Sequence, residues 1–104
     1  MDEVKFELIV VLVNSGFSEI VMDAAREVGA RGGTIVRVRG TGTKDMEHRY
    51  NIVITPDKEM ILILVKETIR DQMLSAIYKA VGLGTDGQGI AFSLPVNDVV
   101  GIKI

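Results

Sequence analysis

Apolar residues divide the chain into two long uninterrupted runs, each followed by a stretch in which they recur at helical spacing. Phe6 to Val13 is almost continuously apolar and rich in Val, Ile and Leu. That pattern predicts a strand covered on both faces, and therefore central in its sheet. Asn14-Ser15-Gly16 breaks the run. Ser18 is placed to cap a helix whose first turn carries Glu19, a charge of the sign the helix dipole favours there. Val21, Ala24, Ala25 and Val28 give that helix one apolar face, and Gly29 ends it. After Arg31-Gly32-Gly33, the alternation from Thr34 to Arg39 predicts a strand with Val36 and Val38 inward and Arg37 and Arg39 outward.

The segment from Gly40 to Tyr50 is glycine-led and then densely charged, which suits an exposed connection; residues 41–50 read equally as a solvated turn or as a loop that reaches a partner or ligand. Asn51 to Thr55 looks extended, Pro56-Asp57 is a turn pair, and Met60 to Val65 is a second apolar run, hence a second central strand. Thr68 can cap a second helix, with Asp71 three residues on and a buried stripe of Ile69, Met73, Ala76, Ile77, Ala80 and Val81. Met73 reads as core filler. Ile90, Phe92 and Leu94 alternate on one face of a strand that Pro95 stops, and Val99 to Ile104 forms a last short extended piece.

The predicted order is strand, helix, strand, strand, helix, strand. It is a pseudo-repeat of two similar halves and gives an α+β, ferredoxin-like βαββαβ sandwich in one domain over residues 1–104. Two helices cover only one face of a four-stranded sheet. Because both central strands are apolar on both sides, the other face is a large exposed patch unless another copy of the chain buries it. Self-association is expected on this ground.

Between the second helix and the last strand lie Gly82, Gly84, Gly87 and Gly89, four glycines within eight residues. Such a run can aim successive backbone N–H groups into a nest for phosphate or carboxylate. It can also be a packed loop in which Gly82 caps the helix, Gly84 and Gly87 make turns and Gly89 enters the strand. There is no Walker lysine, and no G-x-G-x-x-G opens a helix.

Composition removes several classes of function. With 47% apolar and 25% charged residues the chain has the balance of a globular protein. A formal charge of −2 with no Lys/Arg cluster argues against nucleic acid as a partner. The absence of cysteine excludes disulfides and thiolate chemistry and fits a reducing compartment, and a single histidine leaves no His-rich metal site within one chain. Met1-Asp2-Glu3 lacks a basic leader and Leu8 to Val13 is too short to span a bilayer, so a soluble cytoplasmic protein is expected.

Gly33-Thr34-Ile35-Val36-Arg37-Val38-Arg39-Gly40-Thr41-Gly42 and Gly84-Thr85-Asp86-Gly87-Gln88-Gly89-Ile90-Ala91-Phe92 resemble, respectively, the second strand with its following glycines and the glycine loop of the P-II nitrogen regulatory proteins. The likeness extends over nearly the whole chain in element order and length. It implies a homotrimer packed sheet to sheet about a threefold axis, with an adenine nucleotide (ATP, ADP or AMP) or another small anionic effector in clefts between subunits. It also implies a loop that engages a regulated transporter or nitrogen-metabolism enzyme, with membrane association only indirectly through such a transporter, and no catalytic activity. By resemblance, Thr34 lies near the adenine, Gly40 and Gly42 lie under the nucleotide, Gly87, Gln88 and Gly89 form the phosphate cradle, and Lys103 meets the phosphates. Thr43, Lys44, Arg49 and Tyr50 belong to the partner loop. Ile90 and Gly101 stand where the family has a phosphate-binding lysine and arginine, and Lys44 stands about where it has a metal- and 2-oxoglutarate-holding glutamine. Each lost cation removes a charge-assisted hydrogen bond of roughly 1.5–3 kcal/mol. Arg37, Arg39, Lys44 and Lys103 remain as cations for a smaller anion.

Two other classes share the predicted topology. A trimer resembling the divalent-cation tolerance proteins or an amino-acid-sensing domain would use Asp45, Glu47 and His48 as ligands. An acylphosphatase-like enzyme would need an arginine in a tight phosphate loop, which Asn14-Ser15-Gly16 does not supply.

Overall fold

The computed structural model describes residues 4–41 and 57–102. Along the chain, β1 (Phe6–Asn14) leads to α1 (Ser18–Val28), β2 (Thr34–Arg39) and β3 (Asp57–Lys66); a 3-10 turn (Glu67–Ile69) then opens α2 (Arg70–Val81), and β4 (Ile90–Val96) follows. The strands form one antiparallel sheet in the order β2-β3-β1-β4, with both helices on one side. This is the expected ferredoxin-like α+β fold, and the two apolar runs are its two central strands.

Strand alternation sends Ile9, Val11 and Val13 of β1 and Ile61, Ile63 and Val65 of β3 to the helix side, where they meet Val21, Met22 and Ala25 of α1 and Met73, Ile77 and Val81 of α2. Met73 is fully buried, as expected of filler. The intervening residues form the other face. Register aligns Val36, Met60, Leu12 and Ile90 in one row, and Thr34, Leu62, Val10 and Phe92 in the next. No element among the described residues covers these rows, and Ile90, Phe92 and Leu94 are 55%, 43% and 48% exposed.

Several local expectations are corrected. Ser18 is the first helical residue of α1 and makes no capping bond. Instead the Glu59 carboxylate, reaching over from β3, accepts the Gly16 N–H at 2.6 Å and the Ser18 hydroxyl at 3.4 Å. A negative charge beside the start of the helix is favourable to its dipole, but here another strand supplies it. Gly29 does end α1, in the left-handed conformation at φ 117, where glycine has no side-chain penalty. Thr68 does not cap α2: β3 runs directly into the 3-10 turn, which contains Thr68, and Arg70 is the first helical residue.

Val36 and Val38 are not inward within a single chain. They stand on the uncovered face, with Val36 38% exposed, whereas Arg37 and Arg39 leave from the helix side of this margin strand. β3 begins at Asp57, earlier than Met60, so Asp57 is strand and not turn. The extended reading of Asn51 to Thr55, and Pro56, lie outside the described residues. Pro95 does not stop β4, which continues to Val96 with Pro95 opposite Glu7. A strand at the sheet margin needs hydrogen bonds on one side only, so a residue without an N–H is tolerated. Residues 99–102 do not form a strand; Gly101 takes φ 95 there.

Candidate functional site

Two neighbouring strands bring polar residues to the same end of the open face, where the row after Val36-Met60-Leu12 is Val38-Lys58-Asn14. Lys58 Nζ donates to Asn14 Oδ1 at 2.6 Å, Asn14 Nδ2 donates to the Asp86 carbonyl at 3.0 Å, and the Asn14 backbone N–H donates to the Gly87 carbonyl at 2.9 Å. Asn14 thus ties the glycine loop to the central strand and presents Lys58 beside it. Gly40 continues β2 at this same end, where an added Cβ would lie 3.1 Å from Lys58 Cγ. The resulting line runs Gly40, Lys58, Asn14, Asp86-Gly87. It spans three strand spacings, roughly 14 Å.

The glycine loop is packed as well as turned. Gly84 has φ 100. A Cβ on Gly89 would meet the Val81 carbonyl at 2.7 Å and Val13 Cγ1 at 2.8 Å, so close approach to the end of α2 requires glycine there. The Gly89 N–H donates to the Val81 carbonyl, the Gln88 N–H to the Thr85 carbonyl and the Thr85 N–H to the Gly82 carbonyl. These donors are engaged inside the loop, as the packed alternative anticipated. Gln88 is the exception in kind: a non-glycine residue at φ 46.

Thr34 is not brought to this end. It begins β2 opposite Leu62, about six residues or roughly 20 Å from Gly40. It lines a groove of about 800 Å³ at the far end, together with Phe6, Leu64, Arg31, Lys66 and Ile102. The predicted site residues therefore fall into two groups on opposite ends of one chain. Gly42, Thr43, Lys44, Arg49, Tyr50 and Lys103 lie outside the described residues, as do Asp45, Glu47 and His48. Ile102 stands at the Thr34 end, immediately after the uncharged Gly101, while Ile90 is on the open face beside the glycine loop.

The cations also need correction. Arg37 and Arg39 leave from the helix side of β2 and so point away from the Lys58–Asn14 row. Lys58 is the cation the sequence reading missed. Its pKa is lowered from the ordinary lysine value by burial, which strips water from the ammonium. The only signal for it in the sequence was its place two residues before the apolar run Met60 to Val65. Among the described residues, no group of three or more acidic or histidine side chains is placed to hold a metal ion, and no helix is long and apolar enough to cross a membrane.

The family model described as nitrogen regulatory protein P-II matches residues 6–104. A comparison with curated proteins gives no match. Among solved structures, the chain is similar to PII of Arabidopsis thaliana bound to citrate, with 27% identity, 96% of this chain and 82% of that one covered, and a TM-score of 0.72. It also shares its fold with GlnK of B. subtilis in a complex with ATP, with 18% identity, 88% and 82% covered, and a TM-score of 0.68. The match spans both helices, all four strands and the glycine loop, and the chain belongs to the nitrogen regulatory protein P-II family.

Proposed function

We propose that this protein is a P-II-type signalling regulator that binds a small anionic effector between copies of the chain and passes the signal to a partner protein, without being an enzyme itself. The observation that carries this reading is the convergence of Gly40, Lys58, Asn14 and the glycine loop at one polar end of a sheet face whose middle rows are apolar and that no element among the described residues covers. A cation held beside a fixed loop at the rim of such a face suits an anion that becomes enclosed when a second copy covers the apolar rows. Thr34 and the far-end groove would then be the neighbouring copy's contribution, which gives the separation of the two groups a purpose. A homotrimer is the assembly that family membership favours. The citrate and ATP named for the two similar structures are both anions of the kind Lys58 would receive.

The polar end carries few charges for a triphosphate, with Asp57, Glu59 and Asp86 near one lysine. AMP and ADP are therefore the preferred adenine nucleotides; of Gly87, Gln88 and Gly89, the last two spend their N–H groups inside the loop, so Gly87 is the cradle candidate. The partner loop over residues 41–50, with Thr43, Lys44, Arg49 and Tyr50, and a transporter or nitrogen-metabolism enzyme as the regulated protein, remain part of the proposal. So do a contribution from Gly42 and Lys103 and a cytoplasmic location.

Calorimetric titration of AMP, ADP and ATP, paired with light scattering, tests the reading. Saturable binding by a particle of three 11.3 kDa chains is expected, and Lys58→Met is expected to weaken it at least about tenfold through loss of a charge-assisted hydrogen bond. A protein that stays monomeric and takes up none of the three nucleotides would refute it.

A further inference from the structure

The groove at the Thr34 end of the sheet has a lining unlike that of the Lys58–Asn14 end. Phe6, Leu8, Leu62, Leu64, Ile69 and Ile102 give it apolar walls, and Thr34 is the one neutral hydrogen-bonding side chain in it. Arg31 and Lys66 bring two cations to the same groove, and no carboxylate lines it. Both cations are exposed, and neither side chain has a hydrogen bond or ion pair among the described residues. A volume of about 800 Å³ lies within the span of small-molecule sites, about 300–1,000 Å³.

Three glycines border this groove, and the fold accounts for two of them. Gly29 has φ 117, where a side chain is strained. A Cβ on Gly33 would lie 3.1 Å from the Leu62 carbonyl oxygen and 3.1 Å from the Met22 sulfur, so packing there disfavours a side chain. Gly32 has neither reason: its φ is not positive, and a Cβ built on it would meet nothing within 4 Å. A glycine that neither backbone nor packing requires costs chain entropy without a gain inside the molecule. Its bare backbone instead leaves the border of the groove clear for something outside the chain.

We infer that this groove binds an amphipathic anion, a carboxylate or phosphate carrying an aliphatic tail, with the tail along the apolar walls and the headgroup at Arg31 and Lys66. Apolar walls favour the tail by removing its surface from water, and a guanidinium receives either headgroup through paired N–H donors. A bare inorganic anion would leave the walls wet, and an uncharged tail would leave both cations unmet. All the lining residues belong to one chain, so the site does not rest on the assembly proposed above. In that assembly the groove adjoins a neighbour's polar end, which makes the tailed anion a second input to the same regulator.

Calorimetric titration with octanoate, octyl phosphate, butyrate and octanol tests the inference on the unaltered protein, on the double variant Arg31→Met with Lys66→Met, and on Gly32→Leu. Saturable binding of an octyl anion is expected, and the tighter of the two names the headgroup. Butyrate, which lacks most of the tail, and octanol, which lacks the charge, are expected to bind at least about tenfold more weakly. Both variants should lose at least about tenfold in affinity for the octyl anion while melting with the parent, since the two cations have no partners to lose and a Cβ on Gly32 meets nothing. No saturable binding of either octyl anion, equal affinity for octanol, or full affinity in the double variant would overturn the inference. So would a Gly32→Leu protein that binds octanoate normally but dissociates in light scattering, which would show a neighbouring copy to be what the groove receives. A protein that binds AMP or ADP and neither octyl anion keeps the proposed function and loses this inference; the reverse result keeps this inference and loses that function.

Discussion

The two faces of the sheet are made of the same kinds of residue and end in different circumstances. On the helix side, Ile9, Val11, Val13, Ile61 and Ile63 are fully buried. On the other side, Leu64, Ile90, Phe92 and Leu94 keep between 36% and 55% of their surface in contact with solvent. Strands with one wet face normally alternate apolar with polar residues, and β1 and β3 do not. Composition therefore provides for two covering layers where the described residues of a single chain supply one. The open face turns polar at its two ends: at Lys66 opposite Phe6, and at the Val38-Lys58-Asn14 row, where the glycine loop and Gly40 also stand. The uncovered rows are the surface that the proposed assembly would bury, and the polar row is where the proposed ligand would sit between copies.

The contrast can be broken by changing one face at a time. Ile63→Ala on the helix side removes a fully buried side chain and is expected to cost about 2–5 kcal/mol, read as a lower urea midpoint. Phe92→Asp on the open face should leave the isolated fold within about 1 kcal/mol of the parent, because the ring is already 43% exposed, yet abolish the assembled particle in light scattering. If Phe92→Asp unfolded the protein as Ile63→Ala does, the distinction between the faces would be lost. Asn14→Ala removes the side-chain bonds to Asp86 and Lys58 and is expected to cost about 1–2 kcal/mol, with faster amide exchange in the glycine loop and little change in helix exchange.

The smallest expected effect is in pH dependence. Burial lowers the Lys58 pKa in the folded chain below its ordinary 10.5, so between the two values the unfolded chain binds more protons than the folded one. The Lys58 contribution to stability therefore rises with pH across that window. Lys58→Met should remove that increment, which is measured as the difference between the two denaturation profiles over alkaline pH. An anion bound beside the ammonium opposes the shift and should flatten the difference.

Much of the fold was legible because hydrophobic periodicity is a local property. The runs Phe6 to Val13 and Met60 to Val65, the stripe Met73-Ile77-Val81 and the glycine stops each carry their own signal, and both expected helices are present. The errors fall where a partner distant in sequence decides the outcome. The residue type of Ser18 favours a cap, but Glu59, 41 residues away, takes that place. Proline lacks a donor, which predicts a strand end at Pro95, yet a margin strand has no neighbour to miss it. For the site, the glycines were visible and their pairing with Lys58 was not. No spacing rule connects Asn14, Lys58 and Asp86, which meet only once β1 lies between β3 and β4.

By itself, then, the sequence determined the element order, the two central strands and a surplus of apolar surface that calls for self-association, since periodicity and residue type act over a few neighbours. Only the tertiary structure decided which face stays open, that Arg37 and Arg39 face away while Lys58 stands at the rim, and that Thr34 and the glycine loop lie at opposite ends. Those outcomes depend on strand order and register, which hydrogen bonds between distant segments fix and no local pattern encodes.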